Sequence, residues 1–132
     1  MSAKHAHALI AKTQGSMVFF STVAARVGFP MHSVIGTAKA GVEGLTYSLA
    51  AEFSPTVRVN CIAPSLVETT LAAPLIKNDT VKKSLASAHP LNRLGQPEDP
   101  AALAAFLLSK EATWITGQVF CVDGGRSTVH SK

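Results

Sequence analysis

Side chains that titrate, ligate metals or attack carbon are sparse in this chain, and few fall at spacings that chemistry uses. The five histidines are His5, His7, His32, His89 and His130. His5 and His7 lie two apart, which does not place them on one helix face, and the other three are solitary, so no metal site is expected. Cys61 and Cys121 each sit inside an apolar run of strand type. A free thiol there behaves as a small hydrophobe, and two cysteines make neither a zinc set nor a disulfide framework, so both are expected to be buried and reduced. Lys39 and Glu43 stand four apart. On a helix that spacing makes an ion pair worth about 0.3–0.5 kcal/mol, so Lys39 reads either as a solvated lysine held by Glu43 or as a functional cation.

The elements that would carry these residues alternate between strand and helix, the α/β pattern. Residues 3–13 are Ala-rich and helix-permissive, Gly15-Ser16 breaks them, and Met17-Val18-Phe19-Phe20 is a short apolar run of buried-strand type. From Ser33 to Phe53 the positions Val42, Leu45, Leu49 and Phe53 recur at three and four, lining one face of a helix. Val57 to Ile62 reads as a second strand, closed by Pro64. Residues 66–90 hold two short helical stretches, around Leu71–Ile76 and Thr80–Ala88, and read as a mobile lobe whose Leu71, Leu75 and Ile76 form an apolar wall. Gln96-Pro97-Glu98-Asp99-Pro100 opens another helix, with acids opposing the macrodipole, and Leu103 and Leu107 give that helix a core face. A last strand, Gln118 to Val122, ends at Asp123-Gly124-Gly125, and Arg126–Lys132 reads as a polar, frayed tail.

Composition narrows the function classes. The 132 residues fit a single domain, and 47% hydrophobic against 15% charged residues allow a real core. The net charge of +4 is scattered, with Lys82-Lys83 the only adjacent pair of cations, so no nucleic-acid partner is expected. No run approaches the ~18 apolar residues of a membrane span, and Met1 to His7 lacks a secretion signal, so a soluble cytoplasmic protein is expected.

Four stretches, taken in order, resemble the C-terminal half of the short-chain dehydrogenase/reductase family. Gly15 to Thr22 is similar to the strand leading to its catalytic serine, and Thr37-Ala38-Lys39-Ala40-Gly41-Val42-Glu43-Gly44-Leu45-Thr46 to its lysine-bearing helix. Arg58-Val59-Asn60-Cys61-Ile62-Ala63-Pro64 resembles the strand before the Pro-Gly motif, and Ile115-Thr116-Gly117-Gln118 with Val122-Asp123-Gly124-Gly125 resembles the closing strand. The resemblance implies a partial Rossmann-type three-layer α/β/α sandwich whose parallel sheet matches the last three strands of the family fold. It covers residues 1–132 as one domain, with 66–90 as the substrate lobe.

Family chemistry is hydride transfer between NAD or NADP and a carbinol or carbonyl carbon, a tyrosine phenol moving the proton. Its lysine lies one helical turn later, lowers the phenol's pKa and binds the cofactor ribose. By that resemblance the lysine is Lys39, and four residues earlier, where the tyrosine belongs, stands Ile35. The substrate-holding serine, thirteen residues before Ile35, becomes Thr22, which also reads as a strand-end cap. The Pro-Gly motif becomes Pro64-Ser65, and the segment through Val67 to Thr69 would touch the nicotinamide amide. Tyr47, the single tyrosine, lies twelve residues beyond Ile35, about 18 Å along a helix, and cannot replace the phenol. His32, three residues before Ile35, titrates near neutrality and is a substitute acid or a structural histidine. The glycine-rich dinucleotide turn and the family's active-site asparagine would lie before Met1.

Two readings follow from the resemblance. One is an oxidoreductase of short-chain dehydrogenase type, inactive as an isolated chain and weak in NAD or NADP binding, acting when a dinucleotide-binding half is supplied. The other is a non-catalytic oligomerisation module. The family's sheet order leaves residues 17–21 as an open edge, and the helix bearing Val42, Leu45 and Leu49 resembles one through which members dimerise. A homodimer or larger assembly, or pairing with a separate N-terminal half, is therefore expected unless residues 3–13 cover that edge.

Overall fold

The computed structural model describes residues 10–130, so His5, His7, most of the Ala-rich segment and the last two residues lie outside the described residues. Three strands, β1 (Ser16–Phe20), β2 (Arg58–Pro64) and β3 (Val119–Val122), form one sheet in the order β1-β2-β3, and both pairings are parallel. Helix α1 (Ser33–Phe53) links β1 to β2, while α2 (Asp79–Ser87) and α3 (Glu98–Leu108) lie between β2 and β3. Side chains alternate across a strand, so each strand feeds two cores. Met17, Phe19 and Val59 pack under Leu49, Ala50 and Phe53 of α1, with Ile10 and Ala11 joining them. Val18, Ile62 and Phe120 pack under Leu103 and Leu107 of α3. The result is the expected three-layer α/β/α arrangement, with both faces of a small parallel sheet covered.

Buried Asn60 holds the start of β3 to β2, and half-buried Arg58 ties β2 to the end of α3. Asn60 donates to Ile115 O at 2.9 Å and accepts from Gln118 N at 3.1 Å. Arg58 donates to Leu107 O at 2.8 Å and Ser109 O at 2.9 Å, closing the C-terminus of α3 with a cation where the helix dipole favours one. Burial holds the Arg58 guanidinium below its ordinary value.

Three expectations need correction. The core face of α1 is Glu43, Thr46, Leu49, Ala50 and Phe53, and Leu45 is 44% exposed. Spacing alone placed Leu45 inward, but Glu43 has the buried Ser21 hydroxyl as a partner and Thr46 satisfies its hydroxyl on Val42 O of its own helix, so both are accommodated at inner positions. Second, residues 126–129 are not a frayed tail. Asp123 accepts from Gly125 N and Ser127 N, each at 2.9 Å, and from the Ser127 hydroxyl, winding the chain back against the body. Third, Cys61 is fully buried, where desolvation pushes its thiol up, but Cys121 is only partly buried.

Candidate active site

Parallel strands point their carboxyl ends to the same side, and the crevice outside those ends is where open α/β sheets bind ligands. Here β1 runs into Ser21-Thr22, β2 into Pro64-Ser65 and β3 into Asp123-Gly124-Gly125. A cavity of about 480 Å³ lies at these ends. Its wall is mostly apolar, with Phe29, Leu66 and Leu85, and its polar groups come from Thr22, His32, Ser65, His89 and Arg126. A smaller cavity of about 250 Å³ shares Ser65 and His89 and adds Val67, Arg93 and Asp99.

Ser65 is fixed from both sides. Its amide donates to Val122 O at 3.1 Å, and its hydroxyl lies 2.8 Å from His89 Nε2. His89 is 4% exposed, and its Nδ1 lies 2.8 Å from Leu85 O, one helical turn back. A carbonyl can only accept, so Nδ1 carries a proton and Nε2 of the neutral ring accepts from the Ser65 hydroxyl. The turn after β3 packs beside His89 and Pro90. Gly124 and Gly125 have φ of +59° and +87°, which only glycine adopts without strain, and a Cβ on Gly125 would stand 3.1 Å from Pro90. Burial would raise the Asp123 carboxyl in this turn, but the Ser127 hydroxyl and the amides of Ser127 and Gly125 outweigh it and hold it below its ordinary value. Arg126 donates to Ala88 O at 2.8 Å and lies 5.2 Å from the centre of the Phe29 ring, a cation–π contact.

The residues expected from the sequence are only partly gathered here. Thr22 lines the cavity and also accepts from Ala24 N at 3.3 Å, so the capping reading holds. Lys39 does not pair with Glu43. Its Nζ donates to Phe20 O at 2.8 Å, while Glu43 accepts from the Ser21 hydroxyl and from Arg26, both at 2.9 Å. Glu43 is on the inward face of α1 and is claimed there first, which leaves Lys39 to reach the end of β1. Pro64 closes β2, Val67 bridges to Gly95, and Thr69 is exposed, its hydroxyl accepting from Ala72 N at 3.3 Å. Of the expected apolar wall only Leu75 lines the cavity, and Leu71 is 91% exposed. His32 lines it with Nδ1 held 2.8 Å from Pro30 O. Ile35 is 45% exposed and lies outside the lining. Sequence reasoning missed His89, Arg126 and Phe29. His89 sits one turn after Leu85, which signals its backbone partner, but nothing local signals a contact with Ser65, twenty-four residues away.

The strand ends offer a pyrophosphate few free donors. Ser65 N and Glu68 N are already bonded within the protein, and no described helix opens from a glycine-rich turn with free amides. Among the described residues no group of His, Cys, Asp and Glu could hold a metal ion, and no helix is long and apolar enough to cross a membrane.

The comparisons with known proteins agree with this geometry. Residues 1–127 match a family model described as enoyl-(acyl carrier protein) reductase. A tropinone reductase homolog of Arabidopsis thaliana is 40% identical over 122 residues, covering 91% of this chain and 46% of that protein. The human dehydrogenase/reductase SDR family member 4 is 38% identical over 112 residues, covering 84% of this chain and 40% of that protein. A short-chain type dehydrogenase/reductase of Mycobacterium ulcerans superposes with a TM-score of 0.86 at 37% identity, covering 94% of this chain and 46% of that one. The chain thus spans about half the length of the curated relatives it matches. With the parallel sheet, the cavity at its carboxyl ends and these relatives in agreement, the chain belongs to the short-chain dehydrogenase/reductase family.

Proposed function

We propose that these 132 residues form the substrate-side half of a cytoplasmic NAD- or NADP-dependent oxidoreductase, one folding unit with residues 66–90 as its substrate lobe, and that the chain alone does not turn over. The observation that carries this reading is the apolar cavity at the strand ends, whose lining includes Thr22 and Ser65. An apolar ketone and its secondary alcohol suit such a wall, in line with relatives named as tropinone reductase homologs. Thr22 holds the substrate oxygen, Lys39 meets the nicotinamide ribose, and Pro64, Ser65, Val67 and Thr69 place the nicotinamide amide. The dinucleotide, when bound, supplies or accepts the hydride, and its pyrophosphate must be held by residues other than those described here.

Titration calorimetry with NADH and NADPH is expected to show no saturable heat below millimolar concentrations. Purified chain should not oxidise either cofactor with a panel of carbonyl compounds, since a missing general acid alone costs about 10²–10⁴ in rate. Ile35→Tyr restores a phenol but no pyrophosphate site, so that variant should stay inactive too. A micromolar dissociation constant, or turnover that Lys39→Ala abolishes, would overturn this reading. A second reading, a non-catalytic association module, is favoured by the apolar stripe on α1, where Val34, Ile35 and Leu45 are 83%, 45% and 44% exposed.

A further inference from the structure

The reading above uses Ser65 at the position where the family's Pro-Gly motif has glycine, so that motif assigns nothing to the Ser65 hydroxyl. This hydroxyl has a base. With Nδ1 of His89 donating to Leu85 O at 2.8 Å, Nε2 is the bare nitrogen, and it accepts from the Ser65 hydroxyl at 2.8 Å. Leu85 O thus orients the base, the third member that an activated nucleophile requires. His89 is buried, whereas Ser65 is half-buried and lines both cavities. Two amide donors stand nearby. Leu66, the residue after Ser65, and Gly124 share the wall of the smaller cavity with it, and their N–H groups donate to no partner among the described residues. The amide directly after a nucleophile is one that acyl-transfer sites use to hold a developing oxyanion. Thr22, the other hydroxyl of the larger cavity, has no such base, its oxygen being engaged by Ala24 N.

We propose that Ser65 and His89 form a nucleophile and base that hydrolyse small apolar carboxylic esters, with water as the second reactant and no dinucleotide. Ser65 Oγ attacks the ester carbonyl carbon while its proton passes to Nε2 of His89, and the carbonyl oxygen takes up the negative charge with the Leu66 and Gly124 amides as its donors. As the bond to the leaving oxygen breaks, Nε2 gives the proton to that alkoxide, and the acyl group stays on Ser65. Water then attacks the acyl carbon and passes a proton to Nε2. That proton returns to Ser65 Oγ as the acyl bond breaks, and the carboxylic acid departs. The wall of Phe29, Leu66 and Leu85 favours an apolar acyl chain. This activity is separate from hydride transfer, which the isolated chain is not expected to perform.

The test is hydrolysis of p-nitrophenyl butyrate by the purified 132-residue chain with no dinucleotide added. A burst of p-nitrophenol stoichiometric with the chain is expected, followed by a slower steady rate, and mass spectrometry should find the butyryl group on the peptide that holds Ser65. Ser65→Ala should lose both the burst and the label while keeping a cooperative thermal melt. His89→Gln should slow acylation about 10²–10⁴-fold. Because His89 is buried and that variant can fail to fold, the parent chain is also treated with diisopropyl fluorophosphate, which should modify Ser65 ahead of every other serine. Hydrolysis by Ser65→Ala at the parent rate, butyryl groups confined to lysines, a fluorophosphate that leaves Ser65 untouched, or no hydrolysis above buffer would overturn the proposal. Tight dinucleotide binding by the isolated chain would overturn the proposed function and leave this activity standing.

Discussion

Glu43 shows how a single carboxylate sets its neighbours' roles. Its side chain is 11% exposed and takes one bond from Ser21 and one from Arg26. Burial lowers the Arg26 guanidinium, but the hydrogen bond and charge of Glu43 outweigh it and hold the group above its ordinary value. Glu43→Ala leaves Arg26 without its carboxylate and Ser21 with only Lys39 O, and should destabilise the chain by about 1–3 kcal/mol in urea unfolding. Glu43→Gln keeps an oxygen for Ser21 and should lose less. Equal stability of Glu43→Ala and the parent would show that this cluster does not order the junction of β1 and α1.

At the level of elements, the start of α3 carries a pH dependence. Asp99 receives both guanidinium arms of Arg93, at 2.6 and 2.8 Å, and caps Gln96 N at 2.7 Å. The hydrogen bond from Arg93, joined by that amide, holds the Asp99 carboxyl down at about 2. A carboxyl depressed in the folded chain stabilises above its unfolded value, near 3.9, and that contribution is lost as pH falls through the folded value. Thermal melts between pH 5 and pH 2 should therefore fall less steeply for Asp99→Asn than for the parent. Asp123, also held low, keeps its own acid dependence in that variant, so part of the slope should remain. A parallel fall in both proteins would remove Asp99 as a source.

For the whole molecule, the outcome turns on β1. Among the described residues it is an edge strand. Ser21 N reaches Ile62 O of β2, so by alternation the amides of Val18 and Phe20 face away from the sheet, while Lys39 closes the Phe20 carbonyl on that side. Its apolar residues carry no charge or proline to guard the edge. Sedimentation at tens of micromolar should give a dimer or larger species. Hydrogen exchange at Val18 and Phe20 should slow as concentration rises. A monomer with both amides exchanging freely would end the association reading.

Local pattern fixed much of this protein in advance. The strand positions, the long helix, the two short helical stretches within 66–90 and the acidic opening of α3 follow from period, turn residues and caps, because those signals act between residues a few positions apart. The order of the sheet came with the family resemblance. The inner face of α1 did not follow, since spacing cannot show that Glu43 meets Ser21 and Arg26 and so displaces Leu45. Nor did the partner of Lys39, nor the ordered turn after Asp123. The cavity's polar pair lay furthest out of reach. Ser65 and His89 belong to the end of a strand and the end of a helix, and the imidazole meets the hydroxyl where those ends pack beside the Gly124-Gly125 turn. A contact made through three separate segments leaves no periodic trace in any one of them.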